Sequence, residues 1–374
     1  MALAPVSEIR PIMKSIKYKA EKPMLALDLF SGCGGLTLGL KNAGFNVVAA
    51  VEIDRKAQET YRLNHPSVRL YDRDIRSLDP SQVLRDAGLV AGDLDLLAGC
   101  PPCQGFSRLR TRNQQVAVED ERNDLVADFF RFVSVMKPKT VMLENVPALA
   151  KDVRFIKLCR QLNAIGYSTV SYVLDAADYA VPQRRKRLIL LASKVHAPAP
   201  ASAIARKITV RRAFAGLDQP KKTRDSLHAI AENRSDAVRA LISRIPKNGG
   251  SRRDLPKEYQ LACHQRCDGF SDVYGRMAWD DVSPTITSGC HSPSKGRFLH
   301  PTQNRTITLR EAAILQGFPK NYRFDVKHGK ESIALMIGNA LPPPFIKAHA
   351  TALKVGLDNA RGKRLARTGG AHAL

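Results

Sequence analysis

Short apolar runs alternate with helix-like segments between residues 24 and 193, and this alternation limits the fold more than any other feature of the chain. Strands are predicted at 24–30, 46–54, 94–99, 140–146 and 187–193, and helices at 36–45, 55–65 and 124–138. Buried strands that alternate with helices are typical of an α/β domain with a largely parallel sheet. Functional residues are then expected just beyond the carboxyl ends of the strands.

The composition changes after residue 193. Residues 194–206 are rich in Ala, Pro and Ser and are predicted to be a linker. The apolar stretch 331–353, interrupted at Pro342–Pro344, is predicted to be a helix pair that packs back on the first domain. We divide the chain into a basic arm, a first domain, a second and smaller domain, and a basic tail, with the bounds 1–22, 23–194 plus 326–355, 195–325, and 356–374.

The charge of the chain predicts a polyanionic partner. Lys and Arg number 59 and Asp and Glu 35 among 374 residues, a net charge of +24. Nucleic acid is the first expectation. An anionic membrane surface is the alternative, but no long basic amphipathic helix supports it. No apolar run reaches the roughly 18 residues of a membrane span, and the seven scattered cysteines favour free thiols in a reducing compartment such as the cytoplasm.

A glycine loop, SGCGG at 31–35, follows the first strand and precedes the first helix. Glu52 ends the next strand, 20 residues after Gly32. A carboxylate at this offset binds ribose hydroxyls in Rossmann-type sites. Because the pattern is not GxGxxG, a nucleoside without phosphates, such as S-adenosylmethionine, fits better than a dinucleotide. An ordinary turn with an edge carboxylate is the alternative.

A second loop, AGCPPCQGFS at 98–107, follows another predicted strand. Two prolines precede Cys103 and stiffen the backbone that carries its thiol. A rigid, electropositive setting would favour a nucleophilic thiolate. Cys100 and Cys103 also have the C-x-x-C spacing of redox motifs, although the glycine loop does not suit a thioredoxin-like fold. A buried structural cysteine is a third interpretation.

Two further groups lie at predicted strand ends. Glu144, at the end of strand 140–146, could donate or accept a proton if burial raises its pKa, while Asn145 could cap a helix that begins near Pro147. Arg184–Arg187 is a run of four basic residues that leads into strand 187–193. Alternation along a strand predicts Arg185 and Arg187 on one face. A generic basic patch is the alternative.

In this order and spacing, the segments resemble motifs of the DNA (cytosine-5)-methyltransferase family, of the bacterial restriction-modification type. They are DLFSGCGG (28–35), VEID (51–54), Asp74-Ile75, PPCQGFS (101–107), ENV (144–146), QRRKR (183–187), LREAAILQGFPKNY (309–322) and IGNALPP (337–343). Two positions depart from the family. Cys100 stands where a second Gly is common, and Leu341 where Val is common. Neither is expected to touch a reacting group.

The resemblance implies a Rossmann-like S-adenosylmethionine-dependent methyltransferase sheet with a second, smaller target-recognition domain at 195–325. It implies that a cytosine within a specific duplex sequence is flipped out of the helix. Cys103 would add to carbon 6, and Glu144 would hold or protonate ring nitrogen 3. Arg185 would contact the carbonyl of the base, with Arg187 in the same catalytic group. Carbon 5 would then take the methyl group.

The resemblance also implies a cofactor site and a DNA surface. For S-adenosyl-L-methionine, Glu52 would take the ribose hydroxyls and Ile53 would pack on the adenine. The other cofactor residues would be Phe30, Gly32, Cys33, Gly35, Asp74, Ile75, Pro102, Leu125 and Asn339. Gln104 and Ser107 are assigned to DNA, as are Arg252 and Arg253 in the loop 248–256, which could also be a solvated loop. Cys263, His264, Cys267, Cys290 and His291 match no usual zinc spacing, so no metal is predicted.

Double-stranded DNA is the expected partner, at the nucleoid of a bacterial cytoplasm, with no membrane and with a functional link to a restriction endonuclease. A monomer is expected. A tRNA cytosine methyltransferase would share the core motifs, but groove reading of duplex DNA better explains a dedicated second domain. A binding-only protein would be expected to lack Cys103 or Glu144. A redox protein would depend on Cys100.

Overall fold

The computed structural model describes residues 22–102, 125–260 and 272–369. A seven-stranded sheet lies at its centre, in the order β3-β2-β1-β4-β5-β7-β6. Strands β1 to β5 are parallel, and β7 runs antiparallel to both of its neighbours. The strands are β1 Met24–Leu29, β2 Phe45–Val51, β3 Arg69–Tyr71, β4 Leu96–Gly99, β5 Thr140–Asn145, β6 Ser168–Asp175 and β7 Lys186–Ser193.

Helices cover both faces of the sheet, so the central strands β1, β4 and β5 are buried along their whole length. Phe129 and Leu158 pack on one face beside Leu27, and Leu40 and Phe345 pack on the other. The helices are α1 Gly35–Asn42, α2 Arg55–Asn64, α3 Pro80–Asp86, α4 Leu125–Met136, α5 Val153–Ala164, α6 Val210–Phe214, α7 Asp236–Arg244, α8 Leu309–Leu315, α9 Lys330–Asn339 and α10 Pro343–Gly369.

The predicted α/β class is confirmed, and the predicted strands and helices of the first domain lie within a few residues of the observed ones. Four elements of the first domain were not predicted from the sequence, namely β3, β6, α3 and α5. Strand β6 lies at an edge of the sheet and is largely exposed, so it lacks the apolar run that marked the central strands. Ser283, in the segment 281–287, forms an isolated bridge with Gln183 and belongs to no strand.

The carboxyl-terminal segment packs back on the first domain as predicted. Leu341, Phe345 and Ile346 join the core that contains β1 and α1. The predicted tail at 356–374 includes the end of α10, which continues through Gly369. Its apolar stripe continues at Leu353 and Leu357, both buried against the sheet, so packing extends the helix beyond the expected boundary.

The region between β7 and α9 has short helices and long irregular segments. Arg276 is fully buried there and donates hydrogen bonds to the carbonyls of Ile242, Ile245 and His300. A shared core joins this region to the glycine loop, since Cys33 and Phe318 belong to the same buried cluster. The bounds 195–325 stay a prediction. Within the described ranges, no helix is both long and apolar enough to cross a bilayer.

Candidate active site

The sheet topology brings the predicted site residues to one edge. The carboxyl ends of β1, β2, β4 and β5 meet there, together with the amino end of β7, because β7 is antiparallel. The chain order reverses between β1 and β4, and this switch point is where open α/β sheets bind ligands. Gly32, Glu52, Cys100, Glu144 and Arg187 therefore converge from five separate strands.

The glycine loop after β1 has a tight backbone. Phe30, Gly32 and Gly34 have φ values of 62°, 53° and 96°, in the left-handed region. A Cβ at Gly34 would lie 2.5 Å from the His65 ring, and one at Gly35 would lie 2.5 Å from the Leu341 carbonyl. Both glycines are required by these close approaches, which hold the loop against α2 and the α9–α10 junction.

Glu52 links the loop to the end of β2. Its Oε2 accepts a hydrogen bond from Gly32 N at 2.7 Å, and its Oε1 accepts one from Asp54 N at 2.8 Å. Burial raises the pKa of Glu52, and the backbone hydrogen bonds oppose that rise. The adjacent Ile53 side chain is 64% exposed. A carboxylate that can accept hydroxyl donors beside an exposed apolar side chain suits the ribose and base of a nucleoside.

The remaining predicted cofactor residues differ in their exposure and in their hydrogen-bond partners. Asp74 accepts hydrogen bonds from the backbone and guanidinium of Arg76. Cys33, Ile75 and Leu125 are buried in the core. Pro102 is half-buried and Asn339 is exposed at the end of α9.

A buried polar cluster that was not predicted from the sequence contacts the backbone of the glycine loop at Cys33 and Gly34. The Tyr322 hydroxyl donates to the Cys33 carbonyl at 2.5 Å, and His65 Nε2 lies 3.1 Å from both the Gly34 carbonyl and the Tyr322 hydroxyl. Burial lowers the pKa of His65 to about 4, so its ring is neutral near pH 7. Tyr322 lies 257 residues from His65 in the chain, and no local pattern could have paired them.

Glu144 is the buried acid of the site, with a side chain only 2% exposed. Its Oε1 lies 3.0 Å from Arg187 Nε, and its Oε2 accepts a hydrogen bond from Cys100 Sγ at 3.1 Å. Burial raises the pKa of Glu144, while the charges of Arg187 and Arg185 oppose that rise. The carboxyl is thus held by partners on two neighbouring strands.

The basic run before β7 follows the predicted alternation, because Arg185 and Arg187 turn inward while Arg184 and Lys186 are exposed. The two inward arginines have different partners. Arg185 donates to the carbonyls of Ile286 and Gly338, each at 2.9 Å. Its guanidinium therefore joins separate parts of the chain, a use other than the base contact implied for it, and Arg187 is the arginine that reaches Glu144.

Two neighbours of the predicted motifs have contacts that the sequence analysis did not foresee. Cys100 Sγ donates a hydrogen bond to Glu144 Oε2, a side chain that the sequence predicts as the acid of the site. Asn145 does not cap a helix. It ends β5, donates to the Pro101 carbonyl at 2.9 Å and accepts from Val146 N at 2.8 Å. Asn145 therefore anchors the backbone just before Cys103.

Several predicted residues lie outside the described part of the chain, namely Cys103, Gln104, Ser107, Cys263, His264 and Cys267. Arg252 is 3% exposed, so its side chain is placed in the interior and not on a DNA-facing surface, whereas Arg253 is exposed. The turn that carries them is closed by a capping box between Ser251 and Asp254. Among the residues described, no three His, Cys, Asp or Glu side chains are grouped as a metal site.

Comparison with known proteins identifies the family. The model of the C-5 cytosine-specific DNA methylases matches residues 24–355. The chain belongs to this family. The Type II methylase M.HgiDII of Herpetosiphon aurantiacus is 33% identical to this chain, over 88% of this chain and 94% of the M.HgiDII chain. The Type II methyltransferase M.DdeI of Desulfomicrobium norvegicum is 30% identical over 90% of each chain.

Solved structures support the fold of this family member. A prophage-encoded E. coli protein assigned as a DNA modification methyltransferase matches with a TM-score of 0.67 and 24% identity, over 90% of this chain and 99% of that one. The Entamoeba histolytica methyltransferase EhMeth matches with a TM-score of 0.60 and 16% identity, over 91% and 99%. The chain is a DNA (cytosine-5-)-methyltransferase with the Rossmann-like fold of such enzymes.

Proposed function

We propose that this enzyme transfers a methyl group from S-adenosyl-L-methionine to carbon 5 of a cytosine within a specific short duplex sequence. The observation that carries the proposal is the convergence of two groups at one sheet edge. One is Glu52 with the glycine loop, and the other is Glu144 paired with Arg187. A nucleoside-binding carboxylate and a buried acid with a raised pKa are what the two substrates require.

The residues of the first group fit S-adenosylmethionine, which when bound supplies an electrophilic methyl group. Glu52 would accept the ribose hydroxyls, and the exposed Ile53 would pack on the adenine. Asp74 would lie at the adenine edge. The rest of the site would be lined by Phe30, Gly32, Gly35, Pro102, Leu125 and Asn339, and by the backbone of Cys33 and Ile75.

The second group would activate the cytosine. Carbon 5 is a poor nucleophile until another nucleophile adds to carbon 6, which is the role proposed for the Cys103 thiolate. Glu144 would hold or protonate ring nitrogen 3 as that bond forms, and its raised pKa suits it to carry the proton. Arg187 would orient Glu144 and contact the carbonyl of the base. Carbon 5 would then take the methyl group and displace S-adenosylhomocysteine, and loss of the carbon 5 proton with release of Cys103 would complete the reaction.

The base must leave the duplex to reach these groups, because carbon 6 is not accessible in stacked DNA. The net charge of +24 supports binding to the phosphate backbone. Gln104, Ser107 and the exposed Arg253 are proposed to contact DNA. The enzyme would act as a monomer on bacterial nucleoid DNA. In doing so it would protect that DNA from a restriction endonuclease that cuts the same sequence.

The test is methyl transfer from labelled S-adenosylmethionine to genomic DNA that lacks cytosine methylation, followed by mapping at base resolution. We expect label at carbon 5 of cytosine in one short sequence, and none with Cys103→Ala. Label that appears only in a parallel tRNA reaction would overturn the substrate assignment. Bound cofactor without transfer to either nucleic acid would overturn the proposed reaction.

A further inference from the structure

Cys100 lies beside Glu144 because of the register between two parallel strands. Gly99 of β4 pairs with Leu143 of β5, so the next residue of each strand, Cys100 and Glu144, also lie side by side. The result is the 3.1 Å contact between Cys100 Sγ and Glu144 Oε2. This position is one of the two at which the chain departs from the usual family pattern, and glycine there would have no side chain to offer.

The two oxygens of Glu144 have different partners. Oε1 faces Arg187 Nε from β7, with Arg185 of the same basic run contributing charge, and Oε2 faces the thiol that follows β4. A thiol is a weak donor and also a weak acceptor. It can stabilise an ionised carboxylate by donating, and it can rotate its hydrogen away when the carboxyl is protonated. A lysine or arginine at that position could not do both.

We propose that Cys100 is a positioning residue for methyl transfer, whose S–H group orients Glu144 and favours the ionised form of its carboxyl. This inference rests on the proposed role of Glu144 towards ring nitrogen 3. The thiol acts through Glu144 and needs no contact with the base. Its effect is an adjustment of the acid, whose charged partner is Arg187.

The first test measures the titration of Glu144 without any turnover. The carboxyl stretching band is isolated as the infrared difference between each protein and its Glu144→Gln counterpart. Cys100→Ala and Cys100→Gly should raise the apparent pKa of Glu144 by about half to one unit, where one unit is a tenfold change in the protonation equilibrium. Cys100→Ser restores a donor and should return the value towards the wild type.

The matched control is Cys159→Ser, which changes a half-buried thiol on α5. It should leave the titration of Glu144 unchanged. Binding of S-adenosylhomocysteine by calorimetry confirms that each variant is folded, and the affinity should be the same in all of them, because Cys100 is not placed in the cofactor site.

The second test is the pH profile of methyl transfer in single turnover on the mapped DNA sequence. The limb of the profile that depends on Glu144 should move to higher pH in Cys100→Ala and Cys100→Gly, with the single-turnover rate constant reduced and the cofactor concentration that gives half the maximal rate unchanged. An unchanged titration in all variants would overturn the inference. So would an equal loss of rate at every pH, or a shifted titration with an unshifted rate profile. If the wild type shows no methyl transfer while the titration shifts as expected, the proposed function fails and the thiol–carboxyl contact stands.

Discussion

Replacing Glu52 should remove most of the affinity for S-adenosylmethionine. The carboxylate accepts two backbone hydrogen bonds, from Gly32 N and Asp54 N at 2.7 and 2.8 Å, and its remaining lone pairs are proposed to accept two ribose hydroxyls. A hydrogen bond to a charged group contributes about 1.5–3 kcal/mol. Glu52→Ala also loosens the loop, but solvent replaces part of each lost contact. We expect a loss of about 2–4 kcal/mol, or roughly 30- to 1,000-fold in Kd.

Glu52→Gln should be nearly as damaging as Glu52→Ala. The glutamine amide keeps one oxygen acceptor, but its NH2 group would face the N–H of Gly32 or Asp54, and two donors cannot pair. The pH dependence has a defined sign. Since burial raises the pKa of Glu52, cofactor affinity in the wild type should decline as pH falls through that raised value. The decline should be absent in Glu52→Ala.

The assay is calorimetric titration with S-adenosylhomocysteine across pH. Glu258→Gln is the matched control, because it makes the same chemical change on an exposed turn far along the chain. A change in Kd below about threefold for Glu52→Ala, under roughly 0.7 kcal/mol, would refute the role given to this carboxylate. A similar loss in Glu258→Gln would show that general charge, and not this site, controls binding.

Three further predictions follow from buried contacts. Arg187→Gln removes the cation beside Glu144 and should raise the pKa of that carboxyl. The part of the pH–rate profile of methyl transfer that reports the titration of Glu144 should then move to higher pH, and an unchanged profile would contradict this prediction. Tyr322→Phe removes the donor to the Cys33 carbonyl and should weaken S-adenosylhomocysteine binding by about 1 kcal/mol in calorimetry, whereas an unchanged affinity would show that the loop needs no such support. Burial lowers the pKa of His349 from 6.5 to about 4. Between these two pH values the unfolded chain binds more protons than the folded chain, so the free energy of unfolding decreases as pH falls from 6.5 towards 4. His349→Asn should remove about 2 kcal/mol of the stability difference between pH 7 and pH 5 in urea unfolding, and equal differences in both proteins would refute the assignment.

The sheet and the chemical groups at its edge could be predicted because both are local properties of the chain. Apolar runs of strand length marked β1, β2, β4, β5 and β7, and the groups that follow or end them could be read directly. Gly32, Glu52 and Glu144 were therefore expected at one edge before any contact was known, whereas Arg187 begins β7 and reaches that edge only because β7 runs antiparallel to β5. Parallel strands place their carboxyl ends together whatever the intervening sequence.

The partners of those groups depended on the tertiary structure. Whether Arg185 or Arg187 reaches Glu144 is decided by how β7 packs beside β5, and the contact of Cys100 depends on the register of β4 against β5. Likewise, Arg252 is buried and Arg253 is exposed in the same turn. Some of these contacts join residues that are far apart in the chain, and others depend on the direction of a single side chain. A local pattern of residue types carries neither kind of information, so the sequence pointed to the candidate reacting groups, while packing determined the partners that hold them.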